Sequence, residues 1–235
     1  MSAEVPSIVA ARERVFGAIA DAAARAGRDP AGVTLVAVTK GVTADRVTEG
    51  VRVGLSTLGE NRVQEGAEKI AAVDGATWHL IGPLQSNKAR RAAELFDVVE
   101  SVDAVDIAER LARLAREIRP ERPLPVLLQV NVDADPAKAG FTPAGLDAAL
   151  DSILDLEGLR VDGLMTVGRL VEHPEDARPT FVALRGLAAR LRARDPRLGP
   201  ALSMGMSDDY PIAVQEGATI VRVGRALFGA RPAVR

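Results

Sequence analysis

The chain has 235 residues, with 30 basic against 32 acidic side chains, two histidines and no cysteine. The missing thiols exclude a disulfide framework, a thiolate nucleophile, a zinc ribbon and an iron–sulfur cluster, and two histidines cannot build a three-histidine zinc site. A formal net charge of −2 leaves no basic footprint for duplex nucleic acid.

Val5, Ile8, Val15 and Ile19 recur on one face of an opening helix, which Gly27 and Pro30 end. Val33 to Val38 is a continuous apolar run, the pattern of a strand buried on both faces. Thr43 is placed to cap the next helix and Gly54 to end it. Leu55 to Leu58 predicts a second strand, followed by a polar helix from Arg62 to Val73. Trp78 to Ile81 reads as strand three and Val98 to Glu100 as a short strand four. Asp103 is then expected to cap a helix with Ile107, Leu111, Leu114 and Ile118 on one stripe. Val126 to Val132 is strand five, and Thr142-Pro143 opens a helix carrying Leu146, Leu150 and Ile153. Leu159 to Met165 is strand six, with Phe181, Leu184, Ala188 and Leu191 marking the helix after it. Ala201 to Met204 and Thr219 to Val223 complete the series.

Eight strands that alternate with helices imply right-handed βαβ units and a parallel sheet. The expected fold is a single-domain (β/α)8 TIM barrel over residues 1–235 with an additional N-terminal helix. A doubly wound open sheet is the alternative, but no strand is followed by G-x-G-x-x-G. No apolar run approaches the ~18 residues of a membrane span, and the N-terminus carries no apolar signal segment. A cytoplasmic monomer with neither a membrane nor a nucleic-acid partner is expected.

In such barrels the site lies at the C-terminal ends of the strands. Lys40 closes the first apolar strand, where desolvation favours the neutral amine needed to condense with an aldehyde. It could equally snorkel outward or pair with Glu60. Ser207, with Asp208, Asp209 and Pro211 after it, resembles a helix N-terminus, and Gly224 to Phe228 has the form of the short extra helix that many barrels use for phosphate. Arg222 is aimed inward by strand alternation and needs a partner: a carboxylate such as Glu60, a ring nitrogen or a phosphate. His79 reads as a hydrogen-bonded core histidine, Lys69 and His173 as solvated, and Asn87 and Lys88 as the opening of a helix. Only four of the basic residues are lysines, Lys40, Lys69, Lys88 and Lys138, in a composition that strongly favours arginine.

Several segments resemble the pyridoxal phosphate homeostasis proteins. They are Leu35-Val-Ala-Val-Thr-Lys40, Gly59-Glu-Asn61 with Val63-Gln-Glu-Gly66, and Trp78-His-Leu-Ile-Gly-Pro-Leu-Gln-Ser-Asn-Lys88. Lys138-Ala-Gly140, Gly163-Leu-Met165, Ser203-Met-Gly-Met-Ser-Asp-Asp209 and Val221-Arg-Val-Gly224 with Phe228-Gly229 follow in the same order. The resemblance implies a barrel like the N-terminal domain of alanine racemase, with pyridoxal 5′-phosphate (PLP) held by a Schiff base on Lys40. It places Arg222 opposite the pyridine nitrogen, Ser207, Gly224 and the backbone of Arg225 around the phosphate, and Asn61 and His79 near the ring. Position 225 is usually a small hydroxyl residue in that family, so Arg225 is a departure. Lys88 and Lys138 become candidates for secondary cofactor contacts. The family's members are regarded as carriers or regulators of the cofactor, with apo PLP-dependent enzymes as possible recipients.

Chemistry bears on turnover as well. A racemase needs proton-transfer groups on both faces of its bound substrate, and alanine racemases take one from a tyrosine in a second domain. The single tyrosine here, Tyr210, follows strand seven on the phosphate side. A non-catalytic PLP-binding protein is expected, with a weak amino-acid racemase as the alternative. A Schiff-base aldolase for a phosphosugar would share Lys40 and the phosphate site but gives Arg222 no task.

Overall fold

Every expected apolar run becomes a strand of one closed parallel barrel, in the order of the sequence. The computed structural model describes residues 7–169 and 171–229; Val5, expected on the first helix face, lies outside them. The strands are β1 Thr34–Val38, β2 Thr57–Glu60, β3 Thr77–Leu80, β4 Val98–Val102, β5 Leu124–Gln129, β6 Leu159–Met165, β7 Ala201–Ser203 and β8 Ile220–Val223. Around them lie α1 Ile8–Arg25, α2 Ala44–Arg52, α3 Val63–Ile70, α4 Ala89–Leu95, α5 Val105–Ile118, α6 Pro143–Leu154, α7 Arg178–Arg194, α8 Tyr210–Gln215 and α9 Arg225–Phe228. The expected (β/α)8 barrel with an extra N-terminal helix is therefore the observed one.

Local chemistry sets several helix ends. Thr43 Oγ accepts from Arg46 N and Thr142 Oγ from Gly145 N, each answering a backbone donor that the helix itself cannot satisfy. Gly27 and Gly54 follow α1 and α2 at φ +64° and +93°, a conformation that only glycine adopts without strain. Asp103 does not cap α5: the N-cap is Ala104, without a side-chain bond, and Asp103 is half-buried with its carboxyl raised by that burial. Two strands are displaced from their expected positions. β2 runs to Glu60 rather than stopping at Leu58, and β5 starts at Leu124 and ends at Gln129.

Alternation divides each strand between two environments. Leu35, Ala37, Trp78, Leu80, Val221 and Val223 face the helices and join one continuous apolar cluster. The intervening residues face the barrel axis, where Val36 lies beside Arg222 and Gly59 beside His79 in the strand register. A Cβ on Gly59 would stand 2.6 Å from Val36 Cγ1, so that layer is filled to contact. The interior thus holds a charged arginine and a histidine at its centre, both buried. α1 packs against α8 and α9. Just beyond it, Arg28 Nη2 donates to Ala218 O at 2.9 Å and Nη1 to Val214 O, tying the N-terminal helix to the last βα unit.

Candidate functional site

A cavity of about 470 Å³ opens at the C-terminal ends of the strands, lined among others by Lys40, Asn61, Ser207, Arg222, Gly224 and Arg225. Six residues chosen from scattered strand ends therefore meet around one space. His79, the seventh, is buried below it and does not line it.

Lys40 lies two residues beyond the end of β1 and is half-buried, and its amine has no hydrogen bond or ion pair among the described residues. The carboxylate considered as its partner, Glu60, belongs to Lys69. Lys69 Nζ donates to Glu60 Oε1 at 2.6 Å, to Glu65 Oε1 at 2.8 Å and to Thr39 O at 2.6 Å. Thr39 Oγ donates to the same Glu60 oxygen at 2.6 Å, and Glu65 Oε1 accepts from Gly41 N at 2.6 Å. Lys69 is thus buried, not solvated as expected, because α3 packs against β2 and β3 and this position's ammonium reaches inward to Glu60 and to Thr39 O just past β1. Burial pushes the Glu60 carboxyl up against the opposing bonds from Lys69 and Thr39. For Glu65 burial also acts upward, but Lys69 and the Gly41 amide outweigh it and hold the carboxyl down. The cluster grips the backbone on both sides of Lys40 and leaves its side chain unengaged.

Arg222 likewise does not pair with Glu60. Its Nη1 donates to Ser203 Oγ at 2.6 Å and its Nη2 to Thr166 O at 2.7 Å. Ser203 donates onward to Glu100 Oε2 at 2.5 Å, and Glu100 Oε1 meets His79 Nδ1 at 2.6 Å. Four buried polar side chains thus run from the cavity floor to the far side of the barrel. Burial would raise the Glu100 carboxyl, but His79, the charge of Arg222 and the Ser203 bond together hold it below the usual range. Burial lowers the Arg222 guanidinium, and Glu100 and Asp209 oppose the change. A guanidinium remains charged under any such shift and can only donate. His79 is the hydrogen-bonded core histidine that its position suggested, here a support linked to Arg222 by three hydrogen bonds through Glu100 and Ser203. Glu100 and Ser203 were not singled out from the sequence; a carboxylate inside a β-branched strand was the available signal for the first.

On the opposite wall a serine hydroxyl meets backbone amides. Ser207 Oγ accepts from Gly224 N at 3.3 Å and from Ala226 N at 3.4 Å, so a hydroxyl and two backbone donors converge where α9 begins. Ser207 itself lies in the turn before α8, whose N-cap is Asp209. Neither nearby acid competes. Asp209 accepts from Met206 N at 2.6 Å, and Asp208 is held by Arg225. Arg225 and Asp208 are both exposed at the cavity rim, so the charge at position 225 is largely matched by its neighbour.

Asn61 lines the cavity from the end of β2, and its backbone is fixed by Gly82. A Cβ at Gly82 would lie 2.2 Å from Asn61 O, and Gly82 O accepts from Ser101 Oγ at 2.6 Å. Gly82→Ala is expected to destabilise the protein by about 1–3 kcal/mol through overpacking. Urea unfolding of the variant beside the parent measures this; equal midpoints would show that the segment yields freely. Lys138 donates to Gly168 O at 2.6 Å and lies 3.6 Å from Asp135, which engages its amine in loop structure.

The family model for the alanine racemase N-terminal domain matches residues 18–232. The chain is 42% identical over 222 residues to the pyridoxal phosphate homeostasis protein of Escherichia coli K12, covering 91% of this chain and 92% of the relative. It is 44% identical over 221 residues to the protein of that name from Pseudomonas aeruginosa, covering 93% of each. Among solved structures, PipY of Synechococcus elongatus with PLP bound matches at a TM-score of 0.79 and 42% identity, over 90% of this chain and all of that one (100%). The alanine racemase of Clostridium difficile shares the fold at a TM-score of 0.70, over 94% of this chain and 57% of that one, with 13% identity.

Proposed function

The chain belongs to the pyridoxal phosphate homeostasis proteins, built on the alanine racemase N-terminal fold, and from that premise we propose that it binds PLP on Lys40 to hold and deliver the cofactor without turning over a substrate. The observation that carries this is one cavity lined by an unpaired amine at Lys40, the buried guanidinium of Arg222, and the Ser207 hydroxyl beside Gly224 and Arg225. The donor set fits PLP group by group: Lys40 for the aldehyde, Arg222 for the ring nitrogen, and Ser207 with the Gly224 and Arg225 amides for the phosphate. When bound, PLP supplies a reactive aldehyde and an electron-withdrawing ring.

The chain's own groups favour a carrier. Arg222 donates and does not accept, so it faces the ring nitrogen without supporting a proton there. No histidine or tyrosine lines the cavity among the described residues, and its one carboxylate, Asp208, is tied to Arg225. Tyr210 is buried in α8 and takes no place in the lining. Lys40 is thus left without an opposing acid or base. On this reading the chain is one domain that acts as a monomer in the cytoplasm, with apo PLP-dependent enzymes as recipients. Among the described residues no helix is long and apolar enough to cross a membrane.

The purified protein mixed with PLP is expected to turn yellow. Borohydride reduction is expected to fix the cofactor's mass on the peptide containing Lys40; label on another lysine would refute the assignment. Loss of optical rotation from L-alanine is expected to run no faster than with free PLP. A clear excess over that rate would make the protein a racemase.

A further inference from the structure

Lys40 also borders a second cavity, of about 490 Å³, lined by Lys40, Asn61, Arg62, Gln64, Gln85 and Lys88 together with Val63 and Pro83. Its volume falls within the range of ligand sites. The segments that form it, Asn61 to Gln64 and Pro83 to Lys88, lie in two of the family-like motifs, and the PLP cavity takes only Asn61 from them. Three cationic side chains border the space and no carboxylate does. Arg62 and Lys88 make no hydrogen bond or ion pair among the described residues; Arg62 acts on Glu65 only through space, as one of the charges that hold that carboxyl down. Of the two acids that flank this segment in the sequence, Glu60 is occupied by Lys69 and Glu65 by Lys69 and Gly41 N. The start of α3 adds backbone donors that no side chain caps.

We propose that this second cavity is a carboxylate subsite that seats a free α-amino acid beside Lys40, on the side away from the phosphate site. Arg62 and Lys88 take the carboxylate by charge-assisted hydrogen bonds, Arg62 with the fork geometry that matches two oxygens. The side-chain oxygens of Asn61, Gln64 and Gln85 are acceptors for the ammonium group. Both cavities share Lys40, so the amino acid's nitrogen is brought to the residue on which the cofactor reading depends. The proposal rests on that reading for its meaning, but the subsite itself needs no cofactor.

The test titrates the PLP-loaded and the PLP-stripped chain with L-alanine, and separately with inorganic phosphate, by calorimetry. The same titrations are run on an Arg62→Met, Lys88→Met double variant. The expected result is L-alanine binding to the stripped parent, at least tenfold weaker in the double variant. Lys88→Arg is expected to keep parental affinity; because Arg62 and Lys88, the latter a sequence candidate for cofactor contact, line the second cavity and not the first, all variants are expected to take up PLP in equal stoichiometry, read by visible absorbance. Equal L-alanine affinity in parent and double variant, or binding of phosphate alone, would overturn the subsite. Loss of PLP uptake in the double variant together with Lys88→Arg would also overturn it, by assigning the cations to the cofactor. Failure of the parent to take up PLP while L-alanine still binds would instead refute the cofactor reading and leave the subsite standing.

Discussion

Lys40→Ala is expected to abolish the yellow colour of the PLP-loaded protein and to weaken retention of the cofactor at least about a hundredfold, the equivalent of about 3 kcal/mol. The residue can be removed with little harm to the fold, because it is half-buried and its amine holds no other group in place. The phosphate donors at Ser207 and Gly224 and the guanidinium of Arg222 remain, so weak, non-covalent binding is expected to persist. Equilibrium dialysis measures the affinity, and absorbance reports the covalent link. Lys40→Arg is expected to behave like alanine, since a guanidinium stays protonated at neutral pH and is no nucleophile. Colour retained in either variant would move the attachment to another lysine.

Glu100→Ala is expected to cost about 3–5 kcal/mol of folding stability, the range for removing one partner of a buried ion pair. Glu100 is fully buried, and it is the carboxylate that balances Arg222 through Ser203 and holds His79. Without it the arginine charge stays inside the barrel with the more distant Asp209 as its nearest compensation. Denaturant unfolding reads the loss; a change below about 1 kcal/mol would mean that the guanidinium is balanced elsewhere. The pH dependence has a defined sign. A carboxyl held below its unfolded value contributes stability above that unfolded value, about 4.3 for a glutamate, and loses it as the pH falls through the folded value. The parent is therefore expected to lose stability below about pH 4 more steeply than Glu100→Gln, which has no charge to titrate.

Much of the site was legible in the sequence because a parallel barrel gathers the C-terminal ends of its strands. Once the eight runs were recognised, Lys40, Ser207 and Gly224 followed from where runs stopped and Arg222 from strand alternation, while Asn61 was placed at the site by the family resemblance. Cap chemistry was legible where a side chain answers its own backbone, as at Thr43 and Thr142. It failed at Asp103, because a half-buried carboxyl and a helix starting one residue later override a local preference.

The pairing of charges was not legible. Lys69 reads as a surface residue until α3 is packed against β2 and β3, where it meets Glu60, Glu65 and Thr39. Glu60 was the apparent partner for Lys40 or Arg222 because all three stand at strand ends. Which carboxylate meets which cation depends on side-chain direction across neighbouring strands, and the register alone fixes that. Sequence by itself determined the barrel, the amine just past the first strand and the serine and glycine turns near its last helix, since each follows from periodicity or local backbone chemistry. Only the tertiary structure decided that Lys69 takes Glu60, that Glu100 and Ser203 support Arg222, and that Lys40 borders two cavities. Those are contacts between residues as far as 103 positions apart, and closing the sheet is what brings them within a hydrogen bond of each other.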